Sequence, residues 1–114
     1  MSVQTLITYS YLNEISGGDT EFQRDIVLTF LEEMVGEMEK MRLALASEDW
    51  ETLGNVAHKM KAPIGMICVE VMRDLVLKIE KNSKNKVGLE EMPEDVRQLL
   101  AYLNTSMEQL KADL

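Results

Sequence analysis

"TEFQRDIVLTFLEEMVGEMEKMRLALA", residues 20–46, repeats its apolar side chains at helical spacing. Val27, Phe30, Leu31, Met34, Met38, Met41 and Leu45 follow one another at steps of 3, 1, 3, 4, 3 and 4. At about 100° per residue these steps build one apolar stripe, so the segment is an amphipathic helix in need of a surface to cover it. Asp19 or Thr20 can cap its start, and Glu21 stands near its positive end.

Outward from this segment the same period recurs. Upstream, "TYSYLNEISGG" (8–18) predicts a short helix with Tyr9, Leu12 and Ile15 on one side, stopped by Gly17 and Gly18. Downstream, Ser47, Glu48 and Asp49 form a break and a cap, after which Leu53, Ala57, Met60 and Ile64 step by 4, 3 and 4. A fourth helix is predicted from about Val69, with Met72, Leu75, Val76 and Ile79 inward. "KNSKNKVG" (81–88) reads as a polar loop. Met92 and Pro93 open a last helix whose stripe is Val96, Leu99, Leu100, Leu103, Met107 and Leu110, with proline suited to a first turn. The expected fold is all-α: an antiparallel up-down-up-down four-helix bundle with a short extra N-terminal helix. The 114 residues suit one domain over 1–114.

Composition narrows the function classes. A formal net charge of −8 argues against nucleic acid and anionic membranes as partners. No window approaches the run of about 20 apolar residues that spans a bilayer. The N-terminus lacks the basic start and apolar core of a signal peptide. These features lead us to expect a cytoplasmic, monomeric protein. The single cysteine, Cys68, lies in an apolar run and reads as a buried, inert thiol; it excludes an internal disulfide. The nine methionines mostly fall on the helical stripes and read as core filling.

The one histidine, His58, decides the chemistry. With Leu53 set at zero, Ala57, Met60, Ile64 and Ile67 fall within about 40° of it and His58 falls near about 140°. The ring is therefore expected to be exposed. Gly54, Ala62 and Gly65 share its face, and bare backbone there would let another molecule approach. Close packing of Gly54 and Gly65 on a neighbouring helix is the alternative. Pro63 removes a helical hydrogen bond and is expected to bend the helix just after His58. A neutral imidazole is a nucleophile, and Lys61, three residues on, can offset the charge of an anion held at the ring. Together they make a candidate phosphohistidine site. Lys59 reads as a solvated charge.

"AHKMKAPIGMIC" (57–68) resembles the motif of the histidine-containing phosphotransfer (HPt) domain family. His58 matches the phosphoacceptor and Lys61 the motif lysine. Ala62 replaces the usual glycine, Pro63 a common serine and Cys68 a common glycine, while Ile67 keeps the apolar position. "YLNEISGGDTEFQRDIVLTFLEE" (11–33) and "LASEDWETLGNVAHKMK" (45–61) resemble the family's first two helices and the approach to its active helix. The resemblance implies a relay intermediate. A phospho-aspartate of a receiver domain, from a hybrid sensor kinase or a response regulator, passes its phosphoryl group to His58, which hands it to a second receiver. Mg²⁺ is then expected on the receiver and no cofactor on this chain. Glu51, Gly54, Asn55, Ala62 and Gly65 would form the docking surface.

Two other classes compete. A non-catalytic helical adaptor would bind a response-regulator-like partner with His58 incidental. An enzyme in its own right is disfavoured: there is no glycine-rich nucleotide loop or room for an ATP domain, no G-x-S-x-G elbow, and no second histidine for a metal.

Overall fold

A computed structural model describes residues 5–114. Five helices follow one another: α1 (Ser10–Ser16), α2 (Thr20–Ala46), α3 (Trp50–Ile67), α4 (Glu70–Asn85) and α5 (Met92–Ala112). Links too short to cross the bundle force each long helix to reverse on its predecessor. Helix α3 packs on α2 and α4, and α5 closes the ring against α4 and α2. Residue pairing shows the reversal directly: Gly54 lies against Lys84 and Gly65 against Arg73. At about 1.5 Å per residue, α2 accounts for the molecule's longest dimension, 42 Å.

The ends of the helices follow from local chemistry. The Asp19 carboxylate accepts from the backbone N–H groups of Glu21 and Phe22, meeting two of the donors that a helix start leaves open. Asp49 does the same for α3 by accepting from the Thr52 N–H. Thr52 also donates its hydroxyl to Asp49, and these bonds hold the Asp49 carboxyl below its ordinary pKa. Gly17, at φ 62°, ends α1 in the left-handed region, which glycine enters without a Cβ clash.

The core is built from the expected stripes. Val27, Phe30, Met34 and Met41 of α2 meet Leu53, Ala57, Met60 and Ile64 of α3 and the inner faces of α4 and α5. Leu31, Met38 and Leu45 lie only at its margin, and Ala44 takes a buried position the spacing did not single out. Cys68 is buried as expected, and that burial pushes its thiol pKa up to about 12.

Two expectations need correction. Ile15 is 45% exposed, because α1 is only seven residues long and seats only Leu12 in the core. Residues 81–85 are helical where a loop was predicted; α4 runs to Asn85 because Ser83 is buried beneath α3 and Lys84 lies along Gly54. Packing there overrides a polar composition. An extended segment before α1 was not foreseen. Ile7 bridges Cys68, the Thr8 N–H donates to the Ile67 carbonyl at 2.8 Å, and the Val69 N–H donates to the Leu6 carbonyl at 3.0 Å. Leu6 and Ile7 are buried there, so this segment clamps the end of the helix that carries His58.

Candidate functional site

His58 projects from the middle of α3 with 59% of its side chain exposed, in line with its angular position. Its Nδ1 lies 2.5 Å from Oε2 of Glu80 on α4. Glu80 is nearly buried, and burial alone raises a carboxyl pKa. Hydrogen bonds from His58, Lys61 and Lys84 outweigh that effect and hold the group below its ordinary value. Glu80 is thus an ionised acceptor at neutral pH, and the ring nitrogen facing it carries the proton. In the neutral imidazole the lone pair then belongs to Nε2, which makes no hydrogen bond among the described residues. Among the described residues nothing competes for that lone pair.

Two ammonium groups converge on the same carboxylate. Lys61 Nζ lies 3.2 Å from Oε1 and Lys84 Nζ 3.3 Å from Oε2. Both side chains remain substantially exposed, so each ammonium can leave Glu80 for a stronger anion without crossing the core. The local balance is positive, one carboxylate facing two permanent cations, in a chain whose overall charge is −8.

The sequence-predicted site residues divide. His58 and Lys61 come together as expected. Glu51, in the first turn of α3, Asn55 and Ala62 are exposed. Gly54 is not part of an open surface. It is buried against α4, and a Cβ on it would lie 3.2 Å from Lys84 Cγ and 3.4 Å from Ser83 Cβ. Its missing side chain serves the close approach of two helices rather than access by a partner. Gly65 is half-buried, with Arg73 Cδ 3.7 Å from where its Cβ would stand. Lys59 sits 4.0 Å from Glu37 on α2. Glu80 and Lys84 were missed. Glu80 stands one residue beyond the buried Ile79 and four before Lys84, which marks a carboxylate on the margin of an apolar stripe. Among the described residues no three histidine, cysteine or acidic side chains gather to hold a metal ion.

The other flank of α3 is different. Between it and α2 runs a groove of about 380 Å³ floored by Phe22, Ile26, Phe30, Pro63 and Met66, with Asp25 and Glu33 on its rim. It adjoins a second hollow beside Lys59 and Glu37. Helix α3 continues through Pro63 to Ile67, and the proline contributes to both hollows.

Comparison with known proteins agrees with this architecture. The Hpt domain model matches residues 25–113. Among solved structures the chain is similar to the HPT domain of the Hpt sensor hybrid histidine kinase from Shewanella. The TM-score is 0.82 at 19% identity, over 95% of this chain and 92% of that one, a likeness of fold. No curated protein matches the chain.

Proposed function

This chain belongs to the Hpt domain family, and from that premise we propose that His58 is its phosphoacceptor, with Lys61 stabilising the phosphoryl charge. Hpt domains are phosphotransfer carriers of two-component phosphorelays; they work with receiver domains and have no ATP site of their own. The observation that carries the residue assignment is the hydrogen bond from His58 Nδ1 to Glu80, which leaves Nε2 as the nucleophile.

The chemistry follows from that bond. A receiver brings an aspartyl phosphate, with the Mg²⁺ that serves it, to the exposed ring. The Nε2 lone pair attacks phosphorus in line, the P–O bond to the aspartate breaks, and the carboxylate leaves with the electron pair. The ring keeps its Nδ1 proton and becomes positive, and Glu80 lies against that charge. Lys61 turns from Glu80 to a phosphoryl oxygen, a charge-assisted contact. In the return step a second receiver's aspartate attacks phosphorus and Nε2 leaves. Docking engages Glu51, Asn55 and Ala62 around the ring, together with the apolar groove on the α2 side.

Incubation with a phosphorylated receiver is expected to place acid-labile, base-stable phosphate on this chain. The His58→Gln variant should take up none while still binding the receiver. Labelling of that variant at the wild-type level would refute the assignment. Wild-type chain that binds the receiver yet never acquires phosphate would identify an adaptor instead.

A further inference from the structure

We propose that residues 6–8 are a positioning clamp for receiver docking: by holding the last turn of α3 they set the end of the apolar groove formed by Met66 and Ile67. This deepens the reading of that groove as part of the docking surface and rests on it.

The need for a clamp begins at Pro63. Its nitrogen carries no hydrogen for the Lys59 carbonyl, so the turn beyond it is tied to the His58 part of α3 by one hydrogen bond fewer. The carbonyls of a final helical turn are left open in any case. Helix α4 starts at once, with Val69 as its N-cap and no side chain bonding there. The corner between the two helices is short of partners on both sides.

Residues 6–8 supply them. The Thr8 N–H donates to the Ile67 carbonyl at the end of α3, and the Val69 N–H at the start of α4 donates to the Leu6 carbonyl. The Leu6 N–H donates to Oε1 of Gln109 on α5 at 2.9 Å, which fixes the clamp from its other side. Leu6 and Ile7 are buried in place. Ile67 joins the clamp to the groove: its carbonyl takes the Thr8 bond, and the residue lines the hollow together with Pro63 and Met66. His58 lies about 14 Å back along the helix, before the proline and braced by Glu80. Releasing the clamp should therefore disturb docking and spare the chemistry of the ring.

Cys68 is the reporter. Its thiol is fully buried and the residue bridges Ile7, so alkylation by iodoacetamide, read from the mass of this chain, follows release of the clamp. Leu6→Asp combined with Thr8→Pro puts a charge at a buried position and removes the N–H that bonds Ile67. Thr8→Ala keeps that N–H and should match wild type throughout. The double variant is expected to fold as wild type by circular dichroism and to alkylate at least about tenfold faster, as a local opening does. It should bind the receiver that phosphorylates His58 about five- to tenfold more weakly, the loss when the competent state falls to about 10–20%. Phosphoramidate phosphorylates histidine without a receiver: Nε2 attacks phosphorus, the P–N bond breaks and ammonia leaves. Labelling of His58, the only histidine, by this reagent should keep its wild-type rate.

Faster alkylation with unchanged receiver affinity overturns the clamp's role in docking and leaves His58 as acceptor. An equal loss of phosphoramidate labelling overturns it too, because α3 has then loosened as a whole. A second measurement needs no variant. Coupling is reciprocal, so saturating receiver should slow Cys68 alkylation in the wild-type chain severalfold; an unchanged rate overturns the proposal even if the double variant does not fold. Full receiver binding by Phe22→Glu, a substitution in the groove, would instead overturn the groove reading itself.

Discussion

Helix α3 has two flanks of opposite character. Toward α4 it is closed: Gly54 lets the helices meet, and His58 and Lys61 join Lys84 around the nearly buried Glu80. Toward α2 it is open: Phe22, Ile26, Pro63 and Met66 line a hollow with acidic edges. The closed flank holds a ring in one tautomer and keeps cations at hand. The open flank offers apolar surface without chemistry. One helix thus separates the reacting group from a surface suited to recognition, and substitutions on the two flanks should separate in the same way.

The largest effect is expected at Gly54. Gly54→Leu drives four carbons into Lys84 and Ser83 and should destabilise the fold by about 1–3 kcal/mol in chemical denaturation, as overpacking does. A neutral result would mean that the closed flank is looser than its distances indicate. On the open flank, Phe22→Glu is tolerated by the fold, since Phe22 is exposed and an acidic residue suits the first turn of α2. It is expected to weaken receiver binding about tenfold, the scale of one aromatic anchor, with phosphoramidate labelling of His58 unchanged. Slower labelling would erase the division between flanks. Gly65 sharpens the contrast with Gly54: a Cβ there meets only Arg73 Cδ at an ordinary 3.7 Å. Gly65→Ala should therefore gain up to about 1 kcal/mol from reduced chain entropy; a loss would place Gly65 in the closed flank.

The smallest effect is in acid. The folded-state pKa of Glu80 lies below its unfolded value of 4.5, so its stabilising contribution is present above that value and is lost as pH falls through the folded pKa. Asp49 acts in the same direction. Replacing Glu80 by Gln should make the loss of stability below about pH 4.5 shallower without abolishing it. An unchanged acid limb would mean that Glu80 gains nothing from its three partners.

Much of this was legible in the sequence, because helical spacing is a property of one helix at a time. The stripes of α2, α3 and α5 and the caps at Asp19 and Asp49 could be read from residue order. So could the exposure of His58, which needs only its angle from Leu53. Gly54 was misread because an angle measured within α3 does not say where α4 lies. At about 100° from Leu53 it sits on the flank that α4 covers. Glu80 was missed for the same reason: it borders the stripe of α4 and acquires a role only when α3 brings His58 across to it. The last turn of α4 was hidden by its polar composition, since burial of Ser83 depends on contact between helices. The clamp of residues 6–8 on the end of α3 rests on a few backbone hydrogen bonds with no periodic signal.

A single imidazole makes the central claim directly measurable. Nitrogen-15 NMR of the neutral ring in the unphosphorylated protein reports which ring nitrogen bears the proton. The carboxylate of Glu80 requires it on Nδ1, and after phosphorylation the phosphorus must be found on Nε2. A ring protonated at Nε2, or phosphorus attached to Nδ1, would contradict the account.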